Sequence, residues 1–203
     1  MYEYHIPTTS VPRECDLSDL RFMGLDDVDE ILACHRRYAE KNHGMLAKFE
    51  EEIRDIRVDD QIRYVGYGKD GKLAGYLSYQ YKDGSDVNFT KNILVVKEMI
   101  YDCGQTLKKL LSFLAVQYDL AQSVVLHSGE PDFLHVLVDP TDLSGNYIPY
   151  GCLQTNIAAV GTMFKIMDPA QFIEATGYRE LGPQKITARF VYNDLMAHEE
   201  KAF

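Results

Sequence analysis

One stretch constrains the fold more than any other: "ILVVKEMIYDCGQTLKKLLSFL", Ile93 to Leu114. Ile93 to Tyr101 is an apolar, β-branched run that reads as a strand. After a short loop holding Gly104, Leu107, Leu110, Leu111, Leu114 and Val116 recur at helical spacing, which predicts a helix from Thr106 to Tyr118. A strand feeding an amphipathic helix requires a sheet with a helix layer against it. The neighbouring segments agree. In "IRYVGYGKDGKLAGYLSYQYKD" two β-rich runs flank Lys69-Asp70-Gly71-Lys72, and Asp-Gly between such runs predicts a hairpin. Tyr76, Tyr79 and Tyr81 read as sheet-packing residues. Residues 123–128, "SVVLHS", read as a further strand, and 131–139, "PDFLHVLVD", as a helix begun by Pro131.

Two helices are expected before the hairpin. Asp26 and Asp27 open "LDDVDEILACHRRYAEKNHG", with Val28, Ile31, Leu32 and Tyr38 on one face and Gly44 as a stop. "MLAKFEEEIRDI" follows, with Leu46, Phe49, Ile53 and Ile56 as its apolar face and Glu50 to Glu52 in solvent. The order helix, helix, hairpin, strand, helix, strand, helix gives an α+β class with a mixed sheet flanked by helices. The ends read differently. Residues 1–16 look like a strand end and a proline-bracketed linker, and 139–162 are rich in turn residues. "MFKIMD" (163–168) and "KITARFVYND" (185–194) read as strands and "PAQFIEATG" (169–177) as a short helix. One helix and two strands are too few to bury a core of their own.

Composition narrows the partners. The formal net charge of −10 argues against nucleic acid and anionic lipid surfaces. No apolar run approaches the roughly 20 residues of a membrane span, and the first residues lack the basic and apolar regions of a signal peptide. Cys15, Cys34, Cys103 and Cys152 form no CxxC pair, which suits reduced thiols in the cytoplasm. His35, His43, His127 and His135 form no HxH or HxxxH pair, so no metal site is expected. Nucleophile elbows, Walker loops and dinucleotide fingerprints are missing from the sequence. Cys103, at a helix start, stands beside Asp102, which opposes any lowering of its pKa.

Five segments together resemble a known family: "NHGML" (42–46), "GYLSY" (75–79), "VVKEMIYDCGQTLKKLLSFL" (95–114), "MFKIMD" (163–168) and "ITARFVYND" (186–194). Their order and spacing are similar to those of the Eis-like (enhanced intracellular survival) N-acetyltransferases. That resemblance implies an N-terminal GNAT domain, a second, degenerate GNAT domain, and a domain like sterol carrier protein 2. Residues 1–16 then look like the exit from an absent first GNAT domain, 17–160 like the second, and 161–203 like an incomplete sterol-carrier-like domain.

The resemblance also implies acetyl-CoA as cofactor, an amine-bearing small molecule or peptide as acceptor, and assembly as a homo-oligomer or with an N-terminal GNAT domain. A working GNAT junction resembles Gln/Arg-x-x-Gly-x-Gly/Ala, whose backbone N–H groups cradle the pyrophosphate. Glu98 to Thr106 keep only Gly104 of that pattern and bring Glu98 and Asp102 instead. This chain alone is therefore expected to hold no acetyl-CoA and no catalytic residue, and to supply pocket walls and assembly contacts. Met45 and Phe49 are the substrate-pocket candidates, beside a reading of both as core residues. The alternatives are a non-catalytic GNAT-like module that binds a ligand or protein, and a small self-sufficient acetyltransferase with an atypical loop.

Overall fold

Gly71 turns the chain at φ +74°, a conformation that costs a residue without a side chain little. In the computed structural model it joins strands β3 (Arg63–Lys69) and β4 (Lys72–Asp83), the expected antiparallel hairpin. The structure describes residues 1–13, 16–42, 45–53, 61–69, 71–88, 91–148, 151–161, 163, 165–176, 189, 191–192 and 201–202. They divide into two units, Met1–Gly161 and Thr162–Phe203.

The first unit is built on a seven-stranded sheet. Besides the hairpin it holds β1 (Tyr2–Pro7), β2 (Leu20–Met23), β5 (Asn92–Tyr101), β6 (Ala121–Ser128) and β9 (Ile157–Ala158), in the order β2-β3-β4-β5-β6-β1-β9. All neighbours are antiparallel except β5 and β6. The parallel pair needs a crossover, and helix α2 (Gly104–Ala115) provides it. Alternation along the strands sorts two cores. Val65, Leu77 and Leu94 face α2 with Leu110, Leu111 and Leu114. Tyr64, Tyr76 and Ile100 face the other way and meet Val28, Ile31 and Cys34 of helix α1 (Val28–Ala39). A buried lysine fastens the chain ahead of β2. Lys109 Nζ of α2 donates to Asp16 and Ser18, 3.1 Å from Asp16 Oδ1 and 3.2 Å from Ser18 Oγ. Hydrogen bonds from Ser18 and Lys109 pull the Asp16 carboxyl down to about 2.

Four segments depart from the sequence reading. Residues 2–7 are not a free linker but strand β1, paired along its length with β6, because Tyr4 and Ile6 alternate inward and are fully buried. Residues 45–53 do not form the expected amphipathic helix. Only Glu50–Ile53 make a 3₁₀ turn; Leu46 is 73 % exposed and Phe49 69 %, and only Ile53 reaches the core. Ile56 lies outside the described residues. Pro131–Val136 is a 3₁₀ turn rather than an α-helix, since Leu137 is already extended and Val138 N–H donates to Ser10 O at 2.9 Å. The irregular stretch after it carries a small hairpin, β7 (Tyr147–Ile148) with β8 (Cys152–Leu153), and then β9, which caps the sheet edge beside β1.

In the second unit, helix α3 (Pro169–Thr176) matches the expected short helix. Residues 163 and 165–168 carry no strand among the described residues. Of the expected strand at 185–194, Val191–Tyr192 (β10) is described as extended and pairs with Lys201–Ala202 (β11); most of the rest lies outside the described residues.

Candidate functional site

The site begins with one extra residue in β5. Ser78 pairs with Glu98 and Tyr79 with Val96, so Lys97 bulges out of the ladder. The parallel pairing of β5 with β6 stops just before it, at Val95 and Val125. Beyond that point β5 stays with β4 and β6 stays with β1, and the two strands fork. A cavity of about 650 Å³ lies in the fork, lined among others by Glu98, Met99, Tyr101, Ser128 and Met45. The signal for the fork is weak in sequence, because a bulge shows only as a change in which residues alternate inward.

Glu98 is the polar centre of the fork's wall. Its Oε2 accepts from Lys48 Nζ at 2.5 Å and from the Tyr76 hydroxyl at 2.6 Å, and its Oε1 is 3.6 Å from His35 Nε2. His35 is 3 % exposed, and its Nδ1 has no hydrogen-bond partner. Burial pulls the imidazole below its ordinary value, opposed by the Glu98 charge and helped by Lys48. Burial, with the Glu98 carboxylate beside it, pushes the Tyr76 hydroxyl far upward. Glu98 thus stands in a compensated network at the fork instead of adding a bare charge at the helix start. His35, Lys48 and Tyr76 come from three elements distant in sequence, so their convergence was not readable.

The strand-to-helix junction forms a second cavity of about 440 Å³. Cys103 caps α2 in an extended conformation and makes no side-chain cap bond. Thr106 Oγ1 donates to Asp102 Oδ1 at 2.5 Å, which lays the carboxylate along the first turn. Burial alone would raise the Asp102 carboxyl, but the bonds from Thr106 and Cys103 outweigh it and leave it below its ordinary value. A Cβ on Gly104 would meet no atom within 4 Å. Arg37 and Lys41 from the end of α1 line this cavity too, as do Glu130 and the buried thiol of Cys34, which burial pushes up to about 11. Two cations therefore oppose two carboxylates around the helix start. Arg37 and Lys41 are four residues apart, one helical turn, and that spacing was the available signal for their shared face. Arg37 is also tied to the backbone, with Nη2 donating to Leu73 O at 2.5 Å.

The two pocket candidates separate. Met45 lines the fork, whereas Phe49 points away from the core and is largely exposed. Of the four histidines weighed as ligands, His35 sits beside Glu98 and His127 Nε2 is 2.9 Å from Glu3 Oε2. His135 lies on the 3₁₀ turn, and His43 lies outside the described residues. Among the described residues no group of three His, Cys, Asp or Glu could hold a metal ion, and no helix is long and apolar enough to cross a membrane.

A comparison with curated protein sequences finds no match. Solved structures with a similar fold include a GCN5-related N-acetyltransferase from Anabaena variabilis (16 % identity, TM-score 0.56) and a probable N-acyltransferase from Enterococcus faecalis (17 %, 0.54). The alignments cover 67 % and 64 % of this chain, and 35 % and 33 % of theirs. Eis1 from Mycobacterium abscessus aligns over 68 % of this chain and 37 % of its own, at 15 % identity and a TM-score of 0.50. The chain thus spans about a third of the length of these proteins. The family model of the acetyltransferase (GNAT) domain matches residues 44–160, more than half of the chain, and takes in the hairpin, the bulge, the fork and α2. On that match the chain belongs to the GNAT acetyltransferase family.

Proposed function

We propose that this chain acts within a larger, Eis-like N-acetyltransferase that moves an acetyl group from acetyl-CoA to an amine, and that the cofactor is held by another segment. In this reading residues 17–160 are the second GNAT domain, 161–203 open a sterol-carrier-like domain, and the protein works in the cytoplasm. The observation that carries it is the Asp102 carboxylate on the first turn of α2, held there by Thr106. A helix N-terminus attracts a phosphate through bare N–H groups and partial positive charge. Here that position already has an anion, Glu130 adds a second, and Arg37 is engaged with Leu73 O. The residues present do not fit a pyrophosphate, so no chemical step is assigned to this chain.

What the chain supplies is surface. Met45 offers an apolar wall to the fork, and Phe49 offers a ring that needs a second surface to make a pocket. The acceptor of this reading is an amine-bearing small molecule or peptide. Calorimetric titration of acetyl-CoA into the purified chain tests it. No binding is expected in the micromolar range, and micromolar binding would overturn the reading. The alternative of a non-catalytic binding module has the open fork in its favour. Acetyl transfer by a protein that joins this chain to a cofactor-binding GNAT domain, lost when this chain is removed, decides against it.

A further inference from the structure

The 45–53 segment is inside out. Its lysine, Lys48, turns inward to Glu98, while Leu46 and Phe49 turn outward and lead into the exposed Glu50, Glu51 and Glu52. Exposing two large apolar side chains side by side with an acidic run costs free energy unless something covers them. Next to this ridge the sheet offers the complement. Ile93, Val95 and Val125 stand on the opposite face from Leu94, Val96 and Val124, and they remain only half-buried. They line a shallow hollow of about 430 Å³, edged by Lys82, Lys97 and His127. Lys97 and His127 also line the fork, as does Met45, so ridge and hollow belong to one continuous surface.

One half of that surface is apolar and acidic, and the other half is apolar and basic. Such a patch is complementary to itself when turned by a half-rotation, which is what a two-fold interface requires. We propose that this surface pairs two copies of the chain about a two-fold axis. Leu46 and Phe49 of each copy lie against Ile93, Val95 and Val125 of the other, with Glu50 to Glu52 facing Lys82 and Lys97. The inference rests on the assembly contacts of the proposed function and names the surface that makes them.

Sedimentation of the 203-residue chain tests the pairing. A dimer is expected that weakens as salt rises. Phe49→Ala should weaken it about 10-fold or more, as loss of a central aromatic contact does. Glu51→Lys and Lys97→Glu should each weaken it by about 10-fold at low salt, and an equimolar mixture of these two variants should regain it, because each reversed charge then meets its opposite. All three positions are exposed or at the surface, so circular dichroism and an unchanged unfolding midpoint verify that the variants fold. A monomer at every concentration overturns both this surface and the assembly reading. A dimer indifferent to both charge reversals overturns this surface alone and leaves assembly to another face.

Discussion

Replacing Glu98 by alanine would leave the Tyr76 hydroxyl buried without an acceptor and Lys48 without its carboxylate. Breaking a mostly buried, hydrogen-bonded pair from one side costs more than the pair contributes. Stability should fall by about 2–3 kcal/mol, read from the urea midpoint. Glu98→Gln should recover part of it, since the amide oxygen still accepts from Tyr76. His35 adds a pH dependence. Burial holds its imidazole below the ordinary value in the folded chain, whereas the unfolded chain titrates it near about 6.5. Above that pH both states are neutral and the site has no effect. As pH falls through about 6.5 the unfolded chain binds the proton first, so stability declines until the folded imidazole titrates as well. His35→Gln should flatten the decline in urea midpoint between about pH 7.5 and about pH 5.5; a decline of the same size in both proteins would assign it to other groups. None of this network was legible in sequence, because nothing in "ACHRR", "LAKF" or "AGYLS" marks His35, Lys48 and Tyr76 as neighbours.

Elements carry a different kind of constraint. Gly75 lies where β4 meets β5 and α2, and a Cβ there would stand 2.5 Å from Ile100 O and 2.5 Å from Thr106 Cγ2. Neither the strand backbone nor the capping threonine can give way without opening the junction. Gly75→Ala should therefore lower stability by about 2 kcal/mol or more. Gly104→Ala, whose Cβ would meet nothing, should stay within about 0.5 kcal/mol of the parent. Thermal unfolding of the two variants side by side checks the contrast, and equal losses would refute it. At this scale the sequence was largely readable. The hairpin at Gly71, the strand at Asn92–Tyr101, helix α2 and strand β6 all fall where turn chemistry and periodicity place them. These are local signals. The 45–53 segment misled because its helical apolar spacing is real, yet Lys48 gains more from Glu98 than Leu46 and Phe49 gain from the core. The short turn at Pro131–Val136 misled because its end is set by a backbone bond to Ser10, more than a hundred residues earlier.

For the whole molecule, the described members of both apolar clusters lie between Tyr2 and Leu137. A chain cut after Gly161 should accordingly keep a single cooperative transition, visible as coincident curves from circular dichroism and tyrosine fluorescence. Loss of cooperativity would show that residues 162–203 are needed for that core. The fold class, a mixed sheet flanked by helices, followed from the order of elements. The position of β1 inside the sheet did not, since six residues bounded by prolines give no sign of their partner. That position also shapes how the protein comes into being. On a ribosome adding about 5–20 residues per second, the stretch from Pro7 to Ala121 takes on the order of 10 s to emerge. Through that interval Tyr4 and Ile6 belong to a strand with neither neighbour yet synthesised. The nascent chain must be shielded by something other than its own sheet until β6 arrives to receive it.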